Sequence, residues 1–212
     1  MAESSSIPPT RLLLPWAVLL ALAVVLTLGA GVQRPDYVTP FALSAMYAVV
    51  AGAELAVLLV VAPLASRPER PVGLGDLVVL WAMAAPVVVV GWWVSDRDVA
   101  SVAASQGYLL AAAFAVASYL RADATGRFRS WYWALLGLLG AGAPVLAFVV
   151  GDLFDARLTW LYACSPFWVL TRLGEPWRVG WAWAAPFAAL LALGWLLHLT
   201  RRVGRAGECV VG

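Results

Sequence analysis

One carboxylate stands in the middle of an apolar run, where ionised groups are expensive. Glu54 lies within YAVVAGAELAVLLVVAPLA, residues 47–65. A charge at the centre of a bilayer costs about 2.5–3.5 kcal/mol on insertion scales, so such an acid is protonated, paired or turned to a wet cavity. Its chemistry would be that of a transport-path lining or a proton-linked site; the plainer reading is a carboxyl hydrogen-bonded between helices. Other chemistry is sparse. The single histidine, His198, cannot supply the paired imidazoles of a bis-histidine haem or the two zinc ligands of H-E-x-x-H. There is no lysine, which excludes a Schiff base and the GxxxxGK phosphate loop. No G-x-S-x-G elbow occurs. Cys164 and Cys209 read as a buried small residue and a tail thiol. No catalytic residue and no metal ligand is assigned, and an enzyme is not expected.

The elements that must hold Glu54 follow from composition. The chain has 212 residues, 63% hydrophobic and 12% charged, with mean hydropathy +0.87. Soluble domains carry about 25% charged residues, so this chain has too little polar surface to coat a globule in water. Twelve tryptophans fit the same solvent, because indole rings favour membrane–water interfaces. The expected fold class is an all-α integral membrane protein.

A helix rises about 1.5 Å per residue, so about 20 apolar residues cross the hydrocarbon core. That ruler predicts six spans near residues 12–32, 38–64, 77–94, 102–120, 131–150 and 179–200. Residues 1–11 and 201–212 read as short tails. Between spans five and six, residues 158–173 (LTWLYACSPFWVLTRL) are apolar but interrupted by Pro166 and short for a crossing. They read as an interfacial or re-entrant helix. Arginines concentrate at Arg11, Arg67, Arg70, Arg121, Arg127, Arg129, Arg201, Arg202 and Arg205, on one side of such a bundle, and the short loops opposite hold only Arg34 and Arg97. The positive-inside rule then places both termini in the cytoplasm. Prolines at 40, 63, 86, 144 and 186 are expected to kink spans. Small residues at 48–54 and 137–144 are expected to let helices approach. Trp92, Trp93, Trp160, Trp168, Trp177 and Trp181 read as an outer aromatic belt.

The order of these features resembles the transmembrane subunit of ABC-2-type transporters. The resemblance rests on LLVVAPLASRPERPVGLGDLVVL (58–80), AAPVVVVGWWVSD (84–96), ASYLRADATGRFRSWYW (117–133), CSPFWVLTRL (164–173) and LGWLLHLTRR (193–202). It covers nearly the whole chain after Leu12. It implies a cell-membrane permease that moves substrate by alternating access, with a second permease subunit as partner and a cytosolic ATP-binding subunit that carries ATP and Mg. It implies that Arg67, Glu69, Arg70 and Asp76 lie in a loop that couples to this ATPase. It also implies that Ser165, Pro166 and Phe167 shape an outer re-entrant gate, with Glu54 in the transport path. The alternative is a non-transporting scaffold or anchor subunit of a larger membrane complex, in keeping with the few polar residues inside the spans.

Overall fold

The computed structural model describes residues 10–33, 39–67, 71–95, 97–123, 126–154, 159–173 and 192–196, and the regular structure among them is helical. Helix α1 is Thr10–Gln33. Helix α2 runs through Thr39–Ala56, a π turn at Val57–Val61, and Ala62–Ala65. Helices α3 and α4 are Leu74–Ser95 and Val99–Ala122. Helix α5 joins Arg129–Gly137, a second π turn at Leu138–Gly142, and Ala143–Phe154. Two short helices follow, α6 at Thr159–Ala163 and α7 at Pro166–Leu173. Among the described residues, four helical stretches are long and apolar enough to cross a membrane: Met46–Ala65, Leu74–Ser95, Val99–Ala122 and Arg129–Gly151. Of the expected sixth span, only residues 192–196 are described, and they are helical.

Both π turns run into a proline, at Ala62–Pro63 and Ala143–Pro144, whereas Ala85–Pro86 lies inside α3 without one. A proline inside a helix has no N–H and its ring crowds the carbonyl four residues back. The helix relieves that crowding by widening: the Ala62 N–H reaches Val57 O and the Ala143 N–H reaches Leu138 O, five residues back. The carbonyls four residues before each proline, Leu59 and Gly140, are then satisfied from outside their own helix. Tyr132 Oη donates to Leu59 O at 2.6 Å, and Ser165 Oγ donates to Gly140 O at 3.1 Å. Pro40, by contrast, sits in the first turn of α2, where no intrahelical bond is lost.

Helices α2 and α4 form the centre; half of each spanning stretch is buried, against 22% for α3 and 11% for α5. Helix α1 lays Leu12, Trp16 and Leu20, one face at four-residue spacing, against α2. Gly91 of α3 lets that helix approach α2 closely, since a Cβ there would lie 3.6 Å from Tyr47 Cα. Helix α4 buries Ala111, Ala112, Ala113, Ala115 and Ala117, so the close approach expected of small residues is made largely by α4. In the stretch at 137–144, Gly137, Leu138, Leu139 and Ala141 turn outward, while Gly140, with the Phe167 ring 3.8 Å from where its Cβ would be, Gly142 and Pro144 are half-buried and Ala143 is buried. Gly194 packs on α4, where any side chain would run into the Phe114 ring. The outer surface carries Leu135, Leu138, Val145, Leu146 and Phe148 of α5. An apolar exterior on long apolar helices is that of a membrane-embedded protein.

Three local expectations change. Of the stretch at 158–173, the described residues 159–173 form two helices, with the break at Cys164–Ser165; Pro166 opens α7 at the first helical position, where its missing N–H costs nothing. Helix α7 does not lie on the surface alone, because Val169, Leu170 and Leu173 are buried against α2 and α4. Cys164 is an exposed free thiol, since it occupies the outward side of the turn.

Replacing Tyr132 with Phe leaves Leu59 O without its donor and should cost about 1–3 kcal/mol. In a Pro63→Ala background, which returns an N–H to the helix, the same replacement should cost clearly less. Unfolding of the four variants in detergent measures the difference; equal costs in both backgrounds would break the link between the proline and the tyrosine.

Candidate functional site

Glu54 lies within the Met46–Ala65 stretch and is 5% exposed. Its surroundings come from three helices. Gln106 of α4 donates from Nε2 to Glu54 Oε2 at 3.3 Å and to Tyr47 Oη at 3.2 Å. Trp81 of α3 donates from Nε1 to Gln106 Oε1 at 2.6 Å. An indole N–H can only donate, so it fixes which end of the Gln106 amide is oxygen. Tyr47 is hydrogen-bonded to Ser105, and Ser105 Oγ lies 3.0 Å from Ser101 O and 2.9 Å from Val102 O. Tyr47 accepts from Gln106, and its own proton goes to Ser105 Oγ or to Val102 O, 3.4 Å away. The Gln106 amide thus accepts from Trp81 and donates to two acceptors, Glu54 and Tyr47. Glu54 Oε1 is buried with no hydrogen-bond partner. Beside it is a cavity of about 20 Å³ lined by Trp16, Glu54, Val57, Leu58, Leu77, Leu80 and Trp81, room for about one water molecule.

Sequence reasoning picked out Glu54 but missed Tyr47, Trp81, Ser105 and Gln106. A signal was there for two of them. Ser105–Gln106 is a polar pair inside an alanine-rich span, and polar groups at that depth need partners.

The loop after α2 is tied at both ends. Ser66 Oγ accepts from the Val72 N–H at 3.3 Å, and Asp76 Oδ2 accepts from the Gly73 N–H at 2.9 Å. Asp76 thus closes the first turn of α3 in the manner of a capping box, and its negative charge suits that helix end. Arg129 Nη2 of α5 donates to Pro63 O at 2.7 Å and Ser66 O at 2.8 Å, the last carbonyls of α2. With Tyr132 one turn further on, α5 holds α2 on both sides of Pro63. Arg67 is exposed. Glu69 and Arg70 lie outside the described residues. Arg67, Arg121, Arg127 and Arg129 all fall at this end of the bundle, and Arg97 falls at the other.

At the α6–α7 break, Ser165 does two jobs. It caps α7, with its Oγ 3.5 Å from the Trp168 N–H, and it donates to Gly140 O. Ser165 and Phe167 therefore meet α5 at one residue, Gly140, while Pro166 fixes the first turn between them. Asp76, expected in the loop, lies in the first turn of α3. The structure does not bring Glu54, the loop and Ser165 into one pocket; it joins them through α2 and α5. Of the tryptophans assigned to an outer belt, Trp93 and Trp160 are exposed, Trp92 donates to Arg97 O, and Trp168 stacks on Tyr162 under Arg172. Trp177, Trp181, His198 and Cys209 lie outside the described residues.

Gln106→Leu removes one donor from each of two acceptors and the acceptor of Trp81. It should destabilise the protein by about 3 kcal/mol, more than Gln106→Glu, which keeps the acceptor. Thermal unfolding in detergent gives the ranking, and the reverse order would show that the network contributes little.

No protein-family model, curated protein or solved structure matches this chain.

Proposed function

We propose that this chain is the permease subunit of an ABC-2-like exporter, with six spans, both termini in the cytoplasm of a cell membrane, and a second permease subunit beside it. A separate cytosolic subunit binds ATP and Mg and drives alternating access. The observation that carries this reading is Glu54: a mid-span acid, held by three helices, on the helix whose far end leads into the 66–76 loop. A structural helix has little use for a carboxyl there, because an apolar residue of similar size avoids the desolvation penalty. The loop supports the same reading. It is anchored by Ser66, Asp76 and Arg129, which leaves Arg67, Glu69 and Arg70 as the segment that meets the ATPase. Ser165 reaches Gly140, near the middle of α5, which supports a re-entrant rather than a surface course for α6–α7.

A scaffold subunit is the second reading, favoured by the outward apolar face of α5, of whose spanning stretch only 11% is buried. In the permease reading this same face meets the second subunit.

Mild-detergent purification from the native membrane should recover an equimolar ATP-binding subunit with vanadate-sensitive ATPase activity, and Glu69→Ala with Arg70→Ala should lose it. A stoichiometric complex without a nucleotide-binding subunit would make the chain a scaffold. A second outcome tests the gate: with Cys209→Ser, a membrane-impermeant thiol reagent applied to intact cells should label Cys164. Labelling only after permeabilisation would reverse the orientation.

A further inference from the structure

The hydrogen-bond directions around Glu54 leave one position unfilled. Oε2 has its donor in Gln106, both Nε2 protons of Gln106 are committed, and the Tyr47 hydroxyl is bonded to Ser105 and Val102, not to Glu54. Whatever completes Oε1 comes from outside the cluster. A water in the cavity can donate to Oε1; two further chemistries fit a lone buried carboxyl oxygen, a metal cation or a proton. A hard cation needs several oxygen ligands, and the cavity offers only the Glu54 carboxyl among apolar and indole walls. Among the described residues no group of acidic, histidine and cysteine side chains could hold a metal ion. A proton needs only the one oxygen.

We propose that Glu54 is a reversible proton-binding site of this protein. In the step, a hydronium in the cavity against Trp16 and Trp81 transfers a proton to Glu54 Oε1; an O–H bond forms and water is left. The reverse transfer returns the proton when the helices part. Gln106 does not relay it, because an amide holding both of its protons in hydrogen bonds has none to pass on, so exchange runs through the cavity. Oε2 remains a carbonyl accepting from Gln106 in the protonated form. The groups that face this site are few: Trp16 from α1, Tyr47 from α2, Trp81 from α3, and Gln106 and Ser105 from α4. Of these, Tyr47 carries the one other ionisable side chain, and among the described residues the nearest end of α4 bears Asp98 and, before it, Arg97. In the exporter, proton binding would switch the charge of the path between its two states. That use rests on the permease reading, but the site itself does not.

Infrared difference spectroscopy of the full chain in lipid nanodiscs reads the site directly. The expected result is a carboxylic-acid C=O band that declines as pH is raised. It should be absent in Glu54→Gln and shifted to higher wavenumber in Gln106→Leu, where the carbonyl loses its donor. Glu54→Gln keeps the shape and the contact with Gln106, so loss of the band in a folded variant is interpretable; Glu54→Asp should retain a band. Spectra of wild type and Glu54→Gln that coincide at every pH would overturn the proposal, as would a band that never responds to pH. A change driven by sodium or potassium at fixed pH would assign the site to a metal cation instead. The ATPase purification is a separate measurement, so failure of the permease reading and failure of the proton site are told apart.

Discussion

Where water is absent, a backbone carbonyl released by a proline is costly unless a donor reaches it, and two such carbonyls in this bundle are met by side chains from outside their own helix. An unpaired buried carbonyl costs about 1–3 kcal/mol, a large fraction of typical protein stability. Leu59 O and Gly140 O are therefore fixed points. The first binds α2 to α5 through Tyr132, and the second binds α5 to the turn before α7 through Ser165. Apolar contacts alone would leave these helices free to slide, since lipid tails compete for the same surface. The hydroxyl bonds set their register. Arg129 adds a third tie at the end of α2, and its position three residues before Tyr132 puts both on one face of α5.

Glu54 obeys the same rule in reverse. There the buried group is a side chain in excess, and the structure supplies donors by recruiting Gln106, which Trp81 holds in the one useful orientation. The supply falls one donor short. A purely structural network tends toward full satisfaction, because a half-satisfied one is worse than an apolar core. Asp123 Oδ1 is likewise buried without a partner; what sets Glu54 apart is its place in a spanning stretch with a cavity beside it.

Much of the architecture was legible because membrane helices announce themselves by length and hydropathy. The spans read at 77–94 and 102–120 fall inside Leu74–Ser95 and Val99–Ala122. Glu54 was legible because a lone acid at that depth has few explanations. What could not be read was partnership. Nothing in the sequence says that Tyr132 meets Leu59, since the two are 73 residues apart and the pairing depends on how α2 and α5 pack. Prolines 63 and 144 were readable as kinks, but that each would widen its helix into a π turn and pass a carbonyl to a neighbour depends on hydroxyls elsewhere. The interruption at Pro166 was legible from the proline itself, but that Ser165 caps a new helix there, and where that helix packs, was not. Cys164 was taken as buried from its residue type, while the turn it occupies faces outward.

The two constraints meet on one helix. Helix α2 carries Glu54, then the π turn, then Pro63, and then the carbonyls gripped by Arg129. A π turn holds one more residue per turn than an α-helix, so it sets the rotation of the segment beyond it relative to the segment before. Narrowing that turn would rotate Glu54 relative to the clamped end, and would have to break or remake the bond between Tyr132 and Leu59 on the way. Because the clamp fixes the loop end to α5, the rotation would fall on the Glu54 side, where the cluster has one unfilled position and a cavity beside it.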